Sequence, residues 1–593
     1  MIRCQLNRTA TMKLWQCCAG ILAIGIAIPT FALKLVAIEP FASEVQIEQA
    51  IATAPSQAPA LASCVEEYEP YRIRVFAGEQ DRKLALAVTE FRAGASTIAA
   101  EHIDLRLVKY WYQGGTAGES IVAGPGRRLV PELLLKNAAL LKVDRRIKRN
   151  AIWVPGRNGG RYVDTELVYK KDRHQYSRVP VSEFPIVDAE TLQPFELKSG
   201  EWQDIWLTFR APQGSAAGDY SGQLQLLDAE TGELLGSHDI DWQLHGFELS
   251  PSRELNSIYY RGQLSRVGTI SAEFKSTEQL RAELINMREH GIDNPTVYQA
   301  YHDDIHGSRL SDYLYLRDQL GFDNQELFYM GMVVGHPRLY PDRATLDRAT
   351  TRIEKVLRRH YVRDLYIYAM EELDPRKMRE LYPLFRDARE RGYKLFTTGY
   401  DGTWDVIGDA LSLYVAKDLS RSKAAKVNAA GQRIFMHKPQ GGVEDPARYR
   451  KRFGIDIWRH GYDGIIPYAY QSDYHFPWND FDDPKYRDHA FTYPVSNGVI
   501  DTIAWEALRE AIDDRRYLAS LQAHIEASMQ AMPSMPEAGR AAVEACVAAA
   551  QAQLDALEQA EAALEPAVMR AQVAMHLARL SSGCSVAGAA GDA

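Results

Sequence analysis

Two glutamates, Glu371 and Glu372, stand side by side directly after the largely apolar run Leu365-Tyr366-Ile367-Tyr368-Ala369-Met370. Adjacent carboxylates repel each other, and the repulsion raises the pKa of one of them. A carboxylic acid held protonated near neutrality is what cleavage of a glycosidic bond needs at its leaving group. A solvated acidic loop is the blander reading of any such pair. Its place at the end of a strand-like run sets this one apart. Asp374-Pro375, just beyond, reads as a helix N-cap and first helical residue.

Other polar and aromatic residues end other apolar runs. Tyr259 and Arg261 end the first, Tyr298 the second, Tyr400 and Asp401 the fifth, and His437 the seventh. Tyr470, Gln471 and Asp473 end the last, with Trp478 further on. The rings are candidates to stack on sugars and the polar groups to bond sugar hydroxyls, although any single ring fits a packed core as well. Asp401 and Asp473 are the acids available as a second carboxylate, since no acid follows His437-Lys438 until Glu444. His302-Asp303-Asp304-Ile305-His306 resembles a metal cluster but lacks a third spaced partner, so no metal is assigned. No cofactor is expected, and no Gly-rich phosphate loop follows the first strand.

These residues share one place only if strands and helices alternate beneath them. From about 255 to 475 they do. Strands are expected at Ser257–Arg261, Pro295–Ala300, Glu326–Val334, Asp364–Met370, Lys394–Thr398, Leu411–Ala416, Arg433–His437 and Gly464–Gln471. Helices are expected at Thr277–His290, Leu310–Leu320, Ala344–His360, Pro375–Arg391 and Pro446–His460. Eight such strands imply a parallel sheet with right-handed crossovers, closed into a (β/α)8 TIM-type barrel with its site at the C-terminal strand ends. An open doubly wound sheet is the alternative.

Upstream, short alternating strands such as Tyr71–Phe76 and Asp204–Phe209, with Gly/Asp turns, argue a β-sandwich. Downstream of 502 the pattern is helical. The expected chain is multidomain: a leader or anchor over 1–37, a linker over 38–64, a β-sandwich over 65–250, the barrel over 251–520, and a helical C-terminal extension over 521–593. Arg3, Arg8 and Lys13 precede the apolar run Leu14–Leu33, with Thr30-Phe31-Ala32 as a cleavage site. This predicts export to the periplasm or beyond, or a membrane tether if the leader stays. Of six cysteines, Cys4, Cys17 and Cys18 fall in the leader. Cys64, Cys546 and Cys584 make no disulfide framework; the last two either pair or stand as free thiols. A net charge of -9 with no basic domain gives no reason to expect a nucleic-acid partner.

Three stretches resemble one known family: Tyr368-Ala369-Met370-Glu371-Glu372; Trp458 through Tyr470; and Tyr493-Pro494 with Ile503 through Leu518. The family is the glycoside hydrolase family 123 catalytic domain with its uncharacterised relatives. Trp206-Leu207-Thr208-Phe209 and Ala217 through Gly222 look like its companion sandwich. The resemblance spans about residues 65–520. It implies a retaining β-N-acetylgalactosaminidase in which the substrate's own 2-acetamido group is the nucleophile, acting on an oligosaccharide or polysaccharide. By position, Glu372 would be the general acid/base. Glu371, where the family carries Asp, would orient the acetamido group. Such enzymes need no second nucleophilic carboxylate. Ala504 stands where relatives often carry Arg, and Glu506, Arg509 and Asp513 read as an ion-pair network. A sugar-binding relative without turnover, and a polysaccharide lyase using Tyr and His, are the alternative readings.

Overall fold

A computed structural model describes residues 33–53, 59–114, 126–157, 159–168, 179–301, 309–438, 445–473, 475–483, 485–560 and 565–584. Its N-terminal part is mostly antiparallel β. One five-stranded sheet runs in the order Lys34–Ile38, Tyr68–Phe76, Trp202–Arg210, Ile103–Gln113, Arg128–Leu135. A second sheet runs Phe195–Leu197, Arg82–Val88, Gly218–Asp228, Leu234–Leu244, with Leu61–Ser63 added in parallel. Alternation decides which side chains meet between them. Ile73, Val75, Ile205, Leu207 and Phe209 pack against Leu224, Leu226, Ile240 and Trp242.

The other face of a sandwich sheet ordinarily meets water. Here it is covered. Val108, Leu134 and Trp206 join the core of the α/β part that follows. Arg72 and Arg74 are buried around Asp204, which accepts from their Nε atoms at 3.1 and 2.6 Å. Burial pushes the Asp204 pKa up, but the two guanidiniums more than offset it and hold the group ionised. Lys34–Ile38, at the end of the expected leader, pairs with Arg72–Phe76. Glu44–Thr53, within the expected linker, is a helix, and Glu44 reaches Arg74 at 3.0 Å. Residues 1–32, most of the apolar leader, lie outside the described residues. Among the described residues no helix is long and apolar enough to cross a membrane.

The α/β part departs from the closed barrel. Its sheet has seven strands, all parallel, in the order Leu255–Asn256, Gly464–Ile465, Arg433–Met436, Leu413–Ala416, Lys394–Gly399, Asp364–Ala369, Glu326–Val334. The (β/α)8 TIM-type barrel is therefore not what forms. The run Pro295–Ala300, expected as its second strand, makes one isolated bridge, Val297 to Tyr329. The cause is local. Pro295 has no N–H to offer a ladder. Past Val297, the Gln299 carbonyl accepts from the Tyr329 hydroxyl at 2.8 Å, and its side chain accepts from the Leu264 N–H at 2.7 Å.

The two faces of this sheet bury different residues. Ile367, Ala369, Leu395, Tyr414 and Ile434 pack on the flanking helices. Phe328, Tyr366, Phe396, Leu413 and Phe435 fill the concave side. Asp374 caps the helix Pro375–Glu390 by accepting from the Arg376 and Lys377 N–H groups, as the Asp-Pro pair predicts. The helix expected over Pro446–His460 is broken at Gly454. A Cβ there would lie 2.6 Å from the Arg450 carbonyl oxygen and 3.3 Å from Ala511 Cα, so the helix Ile503–Ala531 passes too close for a side chain.

That last helix is buried on every side from Ile503 to Arg515. Helices Glu537–Gln559 and Pro566–Ser581 pack on its second half. Arg570 joins the three parts. It lies 2.9 Å from Glu510 and 2.8 Å from Asp514 of the long helix, and 2.7 Å from Glu69 and 3.4 Å from Glu67 of the sandwich. Arg450 supplies a second cation at 2.9 Å from Asp514. Removing one partner of a buried ionic group strands the others, at ~3–5 kcal/mol. Arg570→Ala is expected to lower the unfolding free energy by about that much in urea titration. A loss under about 1 kcal/mol, the range of a surface pair, would contradict this placement.

Candidate functional site

The phenylalanine layer of the concave face supports a polar layer. Stepping two residues along each strand leads from Tyr366 to Tyr368, from Phe396 to Thr398, from Val415 to Lys417 and from Phe435 to His437. Tyr259 and Tyr468 complete the ring. The Tyr259 hydroxyl lies 2.6 Å from Thr398 Oγ1 and 3.5 Å from the Tyr368 hydroxyl. The ring centroid of Tyr259 is 5.5 Å from those of His437 and Tyr468. His437 is buried, with Nδ1 3.3 Å from the Ile466 carbonyl oxygen. Burial pulls its pKa down to about 3, so it is neutral at physiological pH. Tyr298 packs against the same rings.

Glu371 and Glu372 sit on the rim of this layer and face different surroundings. Much of Glu371 is open to water, but its carboxyl end accepts a hydrogen bond from the Tyr368 hydroxyl. Burial of that end raises its pKa. The Glu372 charge adds to the rise, while the Tyr368 bond and Lys417 oppose it. Glu372 has a left-handed backbone, φ 52°, a conformation that non-glycine residues rarely take. Its carboxylate pairs with Lys417, whose Nζ also lies 4.0 Å above the Tyr400 ring. The mutual repulsion read from the adjacent pair is therefore present, and the raised pKa falls on Glu371.

The expected site residues divide. Tyr259, Tyr298, Tyr400 and His437 come together with the two glutamates. Arg261 reaches the layer indirectly. It pairs with Glu273 and donates to Ser472 Oγ at 3.2 Å, itself 2.9 Å from the Tyr468 hydroxyl. Asp401 is exposed and paired with Lys423. Asp473 is buried, accepts from the Ala272 N–H at 2.8 Å, and is raised by burial to about 6.

Three expected sugar contacts are structural instead. Tyr470 is buried beside Trp505 and donates to Asn286 Oδ1 at 3.0 Å. Gln471 is buried, accepting from Lys275 Nζ at 2.7 Å and donating to Thr492 at 3.0 Å. Trp478 has no exposed surface and packs on Trp111 and Tyr493. The last strand ends at Ile465, so alternation does not carry the concave face as far as these residues. Tyr368, Thr398, Lys417 and Tyr468 were not among the expected site residues. The signal was there: each of the first three lies two residues beyond a concave-face residue of its own strand.

The expected His302–His306 cluster lies outside the described residues. His290, Asp501 and Glu506 offer ligand atoms within 4.8 Å of one another. Their chemistry suits an ion-pair knot better than a metal. Asp501 accepts from Arg106 and from Asn286 at 2.7 Å, and Glu506 from Arg509.

No known family profile matches the sequence, and no curated protein does. The fold does match solved structures. One is a family 123 glycoside hydrolase from Clostridium perfringens, described for glycolipid glycan hydrolysis. It aligns at 10% identity and a TM-score of 0.58, over 93% of this chain and 99% of that one. A β-glucuronidase from Ruminococcus gnavus aligns over 81% of this chain and 96% of its own, at 7% identity. Its TM-score of 0.29 is too low to bear on the argument. The class defined at this level is one of architecture. The chain shares the fold of the Clostridium perfringens enzyme along nearly its whole length.

The charges around Glu371 make a signed prediction. Lys417→Met removes a cation that lowers the Glu371 pKa, and Glu372→Gln removes an anion that raises it. In carboxyl-carbon NMR titration the Glu371 pKa is expected to rise in the first variant and fall in the second. Movement in the same direction in both would contradict the arrangement.

Proposed function

We propose that the chain is a glycoside hydrolase acting on a glycan that contains N-acetylhexosamine, by a substrate-assisted retaining mechanism. The observation behind this is the Glu371–Glu372 pair on the rim of a layer of tyrosines, in a fold shared with a family 123 enzyme. Glu372, the outer carboxyl, donates its proton to the glycosidic oxygen as the C1–O bond breaks. The acetamido carbonyl oxygen attacks C1. Glu371, held by Tyr368, accepts the acetamido N–H and balances the charge that develops there. Glu372 then takes a proton from the water that attacks C1. Neither Asp401, tied to Lys423, nor Asp473, buried against the Ala272 N–H, stands ready as a nucleophile. This agrees with a nucleophile supplied by the substrate. The basic, then apolar, N-terminal stretch supports action outside the cytoplasm.

One observation favours a second assignment. Burial raises the Glu371 pKa while Glu372 is paired with a cation, which suits Glu371 to carry the proton.

Aryl β-glycosides with good and poor leaving groups, with and without a 2-acetamido group, separate these readings. Loss of a general acid costs roughly 10²–10⁴-fold where the leaving group needs the proton, and far less where it does not. Glu372→Gln is expected to show that split. Glu371→Gln is expected to slow good and poor leaving groups alike, on acetamido sugars. Exchange of the two patterns would transfer the acid role to Glu371. Sugar binding by the wild type with no turnover across the panel would replace the enzyme with a binding protein.

A further inference from the structure

We infer that Cys546 and Cys584 form a disulfide that staples the C-terminal helical hairpin. The hairpin consists of Glu537–Gln559 and Pro566–Ser581, which lie side by side, with Gln553 Nε2 donating to Gln572 Oε1 at 2.9 Å. The second helix ends in a reversal. The Ser582 N–H donates to the Ala578 carbonyl at 3.1 Å, Gly583 to Leu580 at 3.1 Å, and Cys584 to Arg579 at 2.9 Å. Gly583 takes φ 67°, the left-handed value that a C-terminal cap of this kind uses. The reversal folds Cys584 back into the apolar cluster that contains Val543, Val547 and Leu580, leaving it 7% exposed. Cys546, one residue before Val547, is half-buried against the same cluster. Both are free thiols in the structure, and the Cys546 sulfur is near enough to push the Cys584 thiol pKa up. Side chains set into the same cluster, on elements already fixed by a cap and a packed helix face, need little backbone movement to bond.

The chemistry is thiol–disulfide exchange with a small-molecule disulfide RSSR. Cys546, the partner open to water, attacks as thiolate and expels RS⁻, leaving a mixed disulfide. Cys584 then attacks the Cys546 sulfur and expels the second RS⁻. Two electrons pass from the cysteine pair to RSSR, and two protons leave the cysteines to give 2 RSH. Burial pushes the Cys584 thiol up to about 12 and disfavours its thiolate, so the first attack falls to Cys546, and in the second step Cys584 attacks a sulfur already beside it. Cys64, buried with Sγ 3.8 Å from the Tyr517 hydroxyl, is the internal control. Because Arg570 lies on the second helix, the staple also secures the cation that joins the three parts of the chain.

The test uses the full chain. Native protein is equilibrated with glutathione disulfide or with dithiothreitol, then denatured, alkylated and mapped by peptide mass. After glutathione disulfide, the Cys546 and Cys584 peptides are expected joined and two hydrogens lighter than their sum, with Cys64 alkylated. After dithiothreitol all three are expected alkylated. Alkylation of both cysteines after oxidation, or glutathione adducts in place of the cross-link, would overturn the inference. Thermal unfolding adds a second readout. Oxidation is expected to raise the wild-type midpoint by several degrees and to leave Cys546→Ser unmoved. Equal midpoints for oxidised and reduced wild type would overturn the stapling role.

Discussion

The polar layer that carries Glu371 and Glu372 depends on the ring packing below it. Phe328 lies 5.2 Å from Tyr366 and 5.7 Å from both Phe396 and Phe435, centroid to centroid. This fills the concave side of the parallel sheet with tilted and edge-to-face contacts. Large rings one step down leave room one step up only for side chains that can bond one another. Tyr259, Tyr368 and Thr398 do so through their hydroxyls, while His437 packs its ring against Tyr259 and meets the Ile466 carbonyl. The pair of glutamates is then presented on a surface that cannot collapse. A carboxyl group on a preformed rim reorganises little when charge develops beside it, which is the usual source of electrostatic catalysis.

Sequence reasoning found the parts governed by short-range rules. The Asp374-Pro375 cap places the start of its helix, and the apolar run before Glu371 places that residue at a strand end. The parallel strands from Glu326 to Met436 lie close to where alternation puts them. What escaped depends on distant partners. Trp478 looks like a sugar platform until Trp111, from a sheet hundreds of residues upstream, is seen covering it. Tyr470 looks like its neighbour Tyr468 until Asn286 claims its hydroxyl. The strand missing at Pro295 has a local cause, but counting strands by periodicity gave no weight to one missing N–H.

Charge burial shows the same division. Glu506, Arg509 and Asp513 read correctly as ion-pairing residues on a helix. Their burial could not be read, because amphipathic patterning presumes a wet face. The helix Ile503–Ala531 has none in its first half; it lies between the parallel sheet, the sandwich and the C-terminal hairpin. Polar residues there serve as internal joints, and Arg570 is shared among Glu67, Glu69, Glu510 and Asp514 from different parts of the chain.

The sandwich sheet that is buried on both faces has a consequence for how such a protein can change through evolution. Trp206, Val108 and Leu134, with Phe41, complete a core whose other members lie after residue 255. A sandwich transferred alone to another protein would bring an uncovered apolar face with it. The α/β part left behind would open a matching hole. The two are therefore inherited as one unit, and variation in such a protein has to come by exchange of single residues and not by shuffling modules.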